Sequence, residues 1–367
     1  MMKVSSIVGA RPNFTKLAAL EFAFRKRPEI QHVIIHTGQH YDELMSSRFF
    51  EDLEIREPDY QLNVGSGSQA EQVGRTMMAL EPVLAEERPD WVVVMGDVNA
   101  TIATAVVAKK MSLRLAHVEA GLRSFNWAMP EEINRVVTDR LADLLFVSEP
   151  SGLDNLRAEA VEEERLRFVG NVMIDTLMRC LPIVERRDVA GHIGVSSGEY
   201  VTATIHRPSN TDSPERLRAW MLALEDVAAR LPVVFPVHPR TREKLGELRY
   251  EPRSAELRLI EPLGYLDMLA LMKNARVVLT DSGGMQEEAT ALGVACLTLR
   301  DETERPVTIQ CGTNRLVGSN PDRLPVFLDE ALRAPLKHRM PEKWDGKAAE
   351  RIAEELLSCR ALPLRGR

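Results

Sequence analysis

Short apolar, β-branched runs alternate along this chain with longer segments in which apolar residues recur every three or four positions. In the first half, KVSSIVGA, HVIIHTG, WVVVMGD, RLAHVEA and LLFVS are near-continuous in hydrophobicity, the pattern of strands buried on both faces. NATIATAVVAKKM and PEEINRVVTDRLAD lie between them with a helical period. The alternation then returns: YVTATIHR, VVFPVHP, LRLIEP, RVVLTD and VACLTL read as strands, separated by helical RLRAWMLALEDVAARL, YLDMLALMKNA and GGMQEEATALG. Strand–helix alternation predicts a parallel sheet with helices on both faces, here twice over, as two doubly wound, Rossmann-like α/β domains. The join falls near residues 172–198, around the polar turn GVSSGEY, so the expected domains are 1–171 and 172–367. The last helical stretch, GKAAERIAEELLSCR, carries an apolar stripe and must pack on one of them, with the N-terminal domain open to it. Two such domains facing each other predict a ligand at the carboxyl ends of the strands, in the cleft between them.

Composition narrows the class. A length of 367 residues suits two domains, and 44% hydrophobic with 28% charged residues is ordinary for a soluble globular protein. A net charge of -7 argues against a nucleic-acid partner held by bulk electrostatics. The four cysteines show no metal spacing and read as free thiols of a reducing cytoplasm. No apolar run is long enough to span a bilayer, and the N-terminal run is too short for a signal peptide, so no membrane partner is expected.

The candidate chemistry gathers at strand ends. GARPNFTK follows the first strand and opens a helix, but lacks the later glycines of a dinucleotide fingerprint. Arg11 and Lys16 there oppose the helix dipole, which an anionic or carbonyl-bearing ligand explains. Asp97 in MGDVNAT and Glu119 in HVEAGLR each end an apolar strand where ligands bind, with Arg123 in the loop that follows. In PEEINR, Pro130 suits a first helical turn, and Glu131 stands i,i+4 from Arg135, as in a surface salt bridge. Several acids at one crevice are what proton transfer at carbon or at a glycosidic oxygen requires. TIHRPSN and VVFPVHPR set His206 with Arg207, and His238 with Arg240, at two equivalent strand ends, which favours binding over two chance surface histidines.

TDSGGMQEEAT places Ser282 at a helix N-cap, with Gly283 and Gly284 in the first turn. Free N–H groups and the dipole suit an anion there, while the glutamates that follow suit hydroxyls such as a ribose diol. The phosphate-loop lysine is absent, which counts against hydrolysis of ATP or GTP. Arg305 in ETERPVT is a weaker phosphate or carboxylate candidate. His36 and His40 are numbered i,i+4, but His36 lies in a strand, so no metal is expected.

Taken together, GARPNFTK, GQHYD, MGDVNAT, HVEAGLR, PEEINR, VGNVMIDTL, HRPSN, VHPR, EPLGYLDM, DSGGMQEEA and TERPVTI resemble the non-hydrolysing UDP-N-acetylglucosamine 2-epimerases. The resemblance implies the two-domain GT-B architecture, a homodimer, and no cofactor. It also implies reversible epimerisation of UDP-GlcNAc to UDP-ManNAc, through elimination of UDP to a bound 2-acetamidoglucal. Asp97, Glu119, Glu131 and His206 match the family's catalytic set, with Asp97 a carbon-2 proton carrier and His206 assisting departure of UDP. Arg11 and Lys16 match its ligand-contacting pair, Ser282, Gly283 and Gly284 the diphosphate contact, and Glu288 the ribose contact. Arg123, Arg135, Arg207 and His238 are further substrate-binding candidates. The alternatives are a hydrolysing epimerase that releases ManNAc and UDP, and an epimerase of a modified UDP-GlcNAc-type sugar.

Four stretches depart from the family pattern. Asn13 stands where many members carry glutamate, and HRPSN replaces HRREN. Gln39 and His40 of the loop associated with a second, activating UDP-GlcNAc are kept, but Tyr41 and Asp42 differ, and VGSGSQAEQ lacks the expected arginine before Gln72. Weakened or absent substrate activation is therefore expected.

Overall fold

In a computed structural model of the chain, described over residues 1–38, 50–333 and 338–359 apart from the Arg11 side chain, the apolar runs form two all-parallel sheets. The first contains β1 (Met2–Val8), β2 (Ile30–His36), β3 (Tyr60–Gln61), β4 (Trp91–Met95), β5 (Leu115–Ala120), β6 (Leu144–Val147) and β7 (Leu166–Phe168). Its strand order is β3-β2-β1-β4-β5-β6-β7. The second contains β8 (Val201–Thr204), β9 (Val233–Pro236), β10 (Leu257–Ile260), β11 (Val277–Thr280), β12 (Ala295–Thr298) and β13 (Asn314–Leu316), in the order β10-β9-β8-β11-β12-β13. The same winding is thus built twice from sequences that share no visible repeat. Each sheet reverses its winding once, between β1 and β4 and between β8 and β11, and such switch points are where open α/β sheets bind ligands.

The unbroken apolar runs follow from burial on both faces. In the second sheet Val233 and Phe235 of β9, Val277 and Leu279 of β11, and Ala295 and Leu297 of β12 join one core cluster. The alternate residues Val234, Val278 and Cys296 join another, on the opposite face. Three strands, β3, β7 and β13, had no counterpart among the apolar runs. They are two or three residues long and lie at sheet edges, where one side of the ladder is open and little apolar area is buried.

The chain divides into two compact units, one of Met1–Arg179 with Glu342–Arg367 and one of Cys180–Pro341. The dividing point at residue 179 falls inside the helix Val172–Val184, the VMIDTL segment. The helix Ala348–Ser358 packs against the helix Arg11–Arg25 of the first unit. Its start is held by Asp175, which accepts the backbone N–H of Ala348 at 3.1 Å and of Ala349 at 2.7 Å. Trp344, fully buried just before it, donates from Nε1 to the Ser148 carbonyl at 3.0 Å. On the other side of Asp175, the Thr176 hydroxyl donates to the Thr15 carbonyl at 2.6 Å, so the VMIDTL helix ties together the first and last helices of this unit.

Candidate active site

In the first unit, the loop after β1 leads into the helix Arg11–Arg25, whose N-cap residue is Ala10. Alanine cannot cap, and Asn13 does the work instead. Its Oδ1 accepts the N–H groups of Gly9 at 3.1 Å and Ala10 at 3.3 Å, while its Nδ2 donates to the Met95 carbonyl at 2.8 Å. The residue that departs from the family pattern therefore joins the two strands of the switch point, and a glutamate could not donate to Met95. One turn on, Lys16 is buried and its ammonium meets the Glu119 carboxylate. The charge that seemed to need a ligand at this helix start has an acid partner within the protein. The Arg11 side chain lies outside the described residues.

Glu119 occupies a special backbone position. The pairing of β5 with β6 skips a register between Val118 and Ala120, and Glu119 between them has φ 73°, in the left-handed region. Such a bulge re-aims a side chain at a sheet end, and holding a non-glycine residue there costs about 1–3 kcal/mol. Gly96 faces it at the end of β4 with φ 68°. A Cβ on Gly96 would lie 2.7 Å from the Lys16 Nζ and 3.2 Å from Glu119 Oε2, so the site closes around a missing side chain.

Asp97 comes next and is partly exposed. Its Oδ2 accepts from Arg135 at 2.5 Å, and its carbonyl accepts from Asn134 Nδ2 at 2.8 Å. Arg135 is buried and donates to Glu132 from Nε at 3.0 Å and from Nη2 at 2.7 Å. The expected i,i+4 pair with Glu131 is therefore corrected: Arg135 turns to its i−3 neighbour and to Asp97. Glu132 has its own anchors, accepting the N–H groups of Ser124 and Phe125 at 2.9 Å each. Burial works to raise the Glu132 carboxyl, but those bonds and Arg135 hold it below the usual carboxylate range. Glu131, half-buried on the first turn of the same helix, makes no side-chain hydrogen bond or ion pair among the described residues. Arg123 is buried too, with Nε and Nη2 on Glu159 at 2.7 and 2.8 Å and Nη1 facing Asp139 at 2.7 Å. Its guanidinium ties the loop after β5 to Glu159 and Asp139.

In the second unit the hub is Asp281, which directly follows β11 and is fully buried. It accepts the N–H of His206 at 3.0 Å, the N–H of Arg207 at 2.9 Å and Nδ2 of Asn210 at 3.0 Å, and its Oδ1 lies 3.0 Å from the Nδ1 of His206. Burial pulls its carboxyl upward, and the bonds from His206, Arg207 and Asn210 outweigh this and hold it below the ordinary value. The His206 ring is half-exposed. The ring of His238, the N-cap of Pro239–Glu247, stands 5.8 Å from it, so the two strand-end histidines do meet. Arg207 lies 3.9 Å from Glu304, and Arg240 pairs with Asp212 at 2.6 Å.

Ser282 is the N-cap of the helix Gly283–Leu292 and makes no side-chain cap bond. A Cβ on Gly283 would lie 2.6 Å from Nη1 of Arg305, so this glycine lets an arginine approach the helix start from within the protein. Arg305 is buried between Glu287, at 3.0 Å, and Glu304. Gln286 is spent on Thr303 at 2.7 Å and Asn314 at 3.0 Å. Glu288 is buried beside the Tyr265 hydroxyl. Burial pushes its carboxyl up to about 8, with the hydroxyl opposing and the neighbouring Glu287 adding to the rise. Gln39, His40, Tyr41 and Asp42 lie outside the described residues, among which no cluster of His, Cys, Asp and Glu could hold a metal. Among those residues, too, no helix is long and apolar enough to cross a membrane.

Two doubly wound units with acids at one switch point and a glycine-led helix start at the other define the GT-B-like class of nucleotide-sugar enzymes. A plant glycosyltransferase, Phytolacca americana UGT2, shares this fold at a TM-score of 0.60 and 10% identity, over 98% of this chain and all of that one. The chain belongs to the UDP-N-acetylglucosamine 2-epimerase family, whose profile matches residues 22–357. It is 42% identical to the UDP-N-acetylglucosamine 2-epimerase of Methanocaldococcus jannaschii, over 97% of this chain and 99% of that one. It is 41% identical to a UDP-2,3-diacetamido-2,3-dideoxy-D-glucuronate 2-epimerase of Pseudomonas aeruginosa, with the same coverage of both chains. The M. jannaschii enzyme solved with UDP-GlcNAc and UDP superposes with a TM-score of 0.90 at 41% identity, covering 97% of this chain and 100% of that one.

Proposed function

We propose that the protein interconverts UDP-GlcNAc and UDP-ManNAc, with the nucleotide held by the second unit and carbon 2 of the sugar worked on by the acids of the first. The observation that carries this reading is the placement of Asp97 and Glu119 at the ends of adjacent strands β4 and β5, with Lys16 and Arg135 against them. The proton on carbon 2 is not acidic by itself. If the bond from the anomeric carbon to the diphosphate oxygen lengthens first, oxocarbenium character develops and acidifies that proton. Asp97 takes it, the electron pair of the C2–H bond becomes the C1=C2 double bond, and UDP leaves with the electrons of the C1–O bond. UDP then adds back while a proton arrives on the other face, with Glu119 and Glu131 serving that transfer and stabilising the cationic sugar. His206, with Nδ1 fixed by Asp281, meets the leaving oxygen through Nε2. Ser282, Gly283, Gly284, Arg207 and His238 receive the diphosphate, Glu288 receives the ribose, and Arg11 and Lys16 attend the sugar end. The scheme uses no metal and no cofactor.

The P. aeruginosa relative favours a second reading, an epimerase of a modified UDP-GlcNAc-type sugar, because it is as similar to this chain as the M. jannaschii enzyme is. We also take the protein to be a cytoplasmic homodimer. The free state of Cys180, Cys296, Cys311 and Cys359 supports a reducing compartment, and family membership supports the dimer. NMR of UDP-GlcNAc incubated with the protein in deuterated water tests the reaction. The expected result is both UDP-sugars carrying deuterium at carbon 2. Free ManNAc with UDP and no UDP-ManNAc would establish the hydrolysing alternative, and turnover only of a uronic or diacetamido analogue would establish the modified-sugar reading.

A further inference from the structure

Beneath the acids of the first unit lies a histidine that the reaction above leaves unused. His117, in β5 two residues before Glu119, is fully buried. Its Nδ1 lies 2.6 Å from Oδ1 of Asp139, and its Nε2 lies 2.8 Å from the carbonyl oxygen of Gly96. A carbonyl oxygen has only lone pairs to offer, so Nε2 carries a proton. Asp139 is an acceptor on its other oxygen as well, taking the N–H of Gly121 at 3.0 Å and facing the Arg123 guanidinium at 2.7 Å. Both ring nitrogens therefore face acceptors. Either neutral tautomer would set a ring lone pair against one of these oxygens in the protein interior, where an unmade hydrogen bond carries its full desolvation penalty.

The surrounding charges accommodate a cation. Arg123, in the loop after β5, is matched by Glu159, and Lys16, on the first helix, is matched by Glu119. Asp139, on the helix Pro130–Leu141, stands between Arg123 and His117, so with Glu159 the two acids offset the guanidinium and a charged imidazole together. The group that His117 grips is the peptide immediately before Asp97. The N–H of Gly96 donates to the Val118 carbonyl at 3.0 Å, its carbonyl accepts from the ring, and its backbone is in the left-handed region. Gly96 is thereby held through both of its peptide units, the Met95–Gly96 unit by its N–H and the Gly96–Asp97 unit, from which Asp97 departs, by its carbonyl.

We propose that His117 is a positioning residue in the form of a buried imidazolium, balanced by Asp139, which fixes the Gly96–Asp97 peptide and so aims Asp97 at carbon 2. This rests on the reading that Asp97 carries the carbon-2 proton. The test is nitrogen-15 NMR of the full chain with ring-labelled histidine, alongside kinetics of H117N and H117Q with UDP-GlcNAc. In the unmodified protein, His117 is expected to show both ring nitrogens at imidazolium positions at pH 7. Each variant is expected to lose roughly 10–100-fold in kcat, as when a supporting hydrogen bond behind a site residue is removed, with KM unchanged within about twofold. A neutral-tautomer signal for His117 overturns the proposal. So does a wild-type kcat in either variant. The spectrum of the unmodified protein gives the charge even if both variants misfold. It also separates this proposal from the function, since an inactive but imidazolium-bearing protein would refute only the reaction.

Discussion

The side chain of Asp281 holds His206 by both its backbone and its ring: the N–H at 3.0 Å and the Nδ1 at 3.0 Å. The histidine thus presents one nitrogen outward in a fixed orientation. Asp281→Asn keeps the shape but offers an amide that can turn its donor toward the ring, reversing the tautomer. We expect kcat for UDP-GlcNAc to fall by roughly 10²-fold, the range of a disabled acid–base group, with a small change in KM. Steady-state kinetics of D281N beside H206N checks this, and the double variant should be little worse than either single one.

Gly96 has no room for a methyl group. In Gly96→Ala the new Cβ would press on Lys16 and Glu119 at a φ that alanine adopts poorly. The backbone conformation alone is expected to lower stability by about 1–2 kcal/mol, read by urea denaturation. The displaced Lys16–Glu119 pair should reduce kcat further than that loss of stability explains, read on the folded fraction.

Stability should decline as pH rises through neutrality. Burial lifts the folded Glu288 carboxyl from 4.5 up to about 8, and lifts that of Asp175 from 3.8 up to about 7. An acid whose folded value is raised binds more protons in the folded state. Its stabilising contribution is complete below the unfolded value and is lost as pH climbs through the folded one. Urea midpoints at pH 5, 7 and 9 should fall in that order. Glu288→Gln should flatten the slope between pH 5 and pH 8, by a few kcal/mol at most. A midpoint that rose with pH over this range would contradict the assignment.

Strand ends are legible in the sequence, because parallel strands buried on both faces leave unbroken apolar runs and the candidate residues lie at their ends. Asp97, Glu119 and His206 were expected at strand ends on this ground, and they stand at the ends of β4, β5 and β8. Short edge strands such as β13 leave no such trace. Arg123 and Arg135 were read as ligand contacts because nothing local shows a charge to be buried. Their partners Glu159 and Asp97 are decided by packing between distant segments. Asp281 was overlooked for the same reason: it lies within the quoted TDSGG stretch, but its value comes from His206 and Asn210, more than seventy positions earlier. Local sequence therefore shows which charged groups stand at strand ends, and hides how many of them are occupied by partners from distant segments.

The altered stretches around Gln39–Asp42 and Gln72 give a kinetic expectation. Gln72 accepts from Asn99 Nδ2 at 2.7 Å and is thereby tied to the start of the helix after Asp97. Initial rates against UDP-GlcNAc should follow a simple hyperbola with a Hill coefficient close to unity and no lag. A sigmoidal curve would mean that a second substrate molecule still activates the enzyme.

The helix Ala348–Ser358 completes a unit that begins at residue 1. During synthesis the β-strands bearing Asp97 and Glu119 leave the ribosome early, while the element that covers the helix Arg11–Arg25 arrives after the whole second unit has been made. The second unit, continuous from Cys180 to Pro341, can close on its own as it emerges. The first must wait with an uncovered apolar face until that helix arrives. Chains truncated before residue 348 should therefore keep a folded second unit and leave the helix Arg11–Arg25 of the first without its cover.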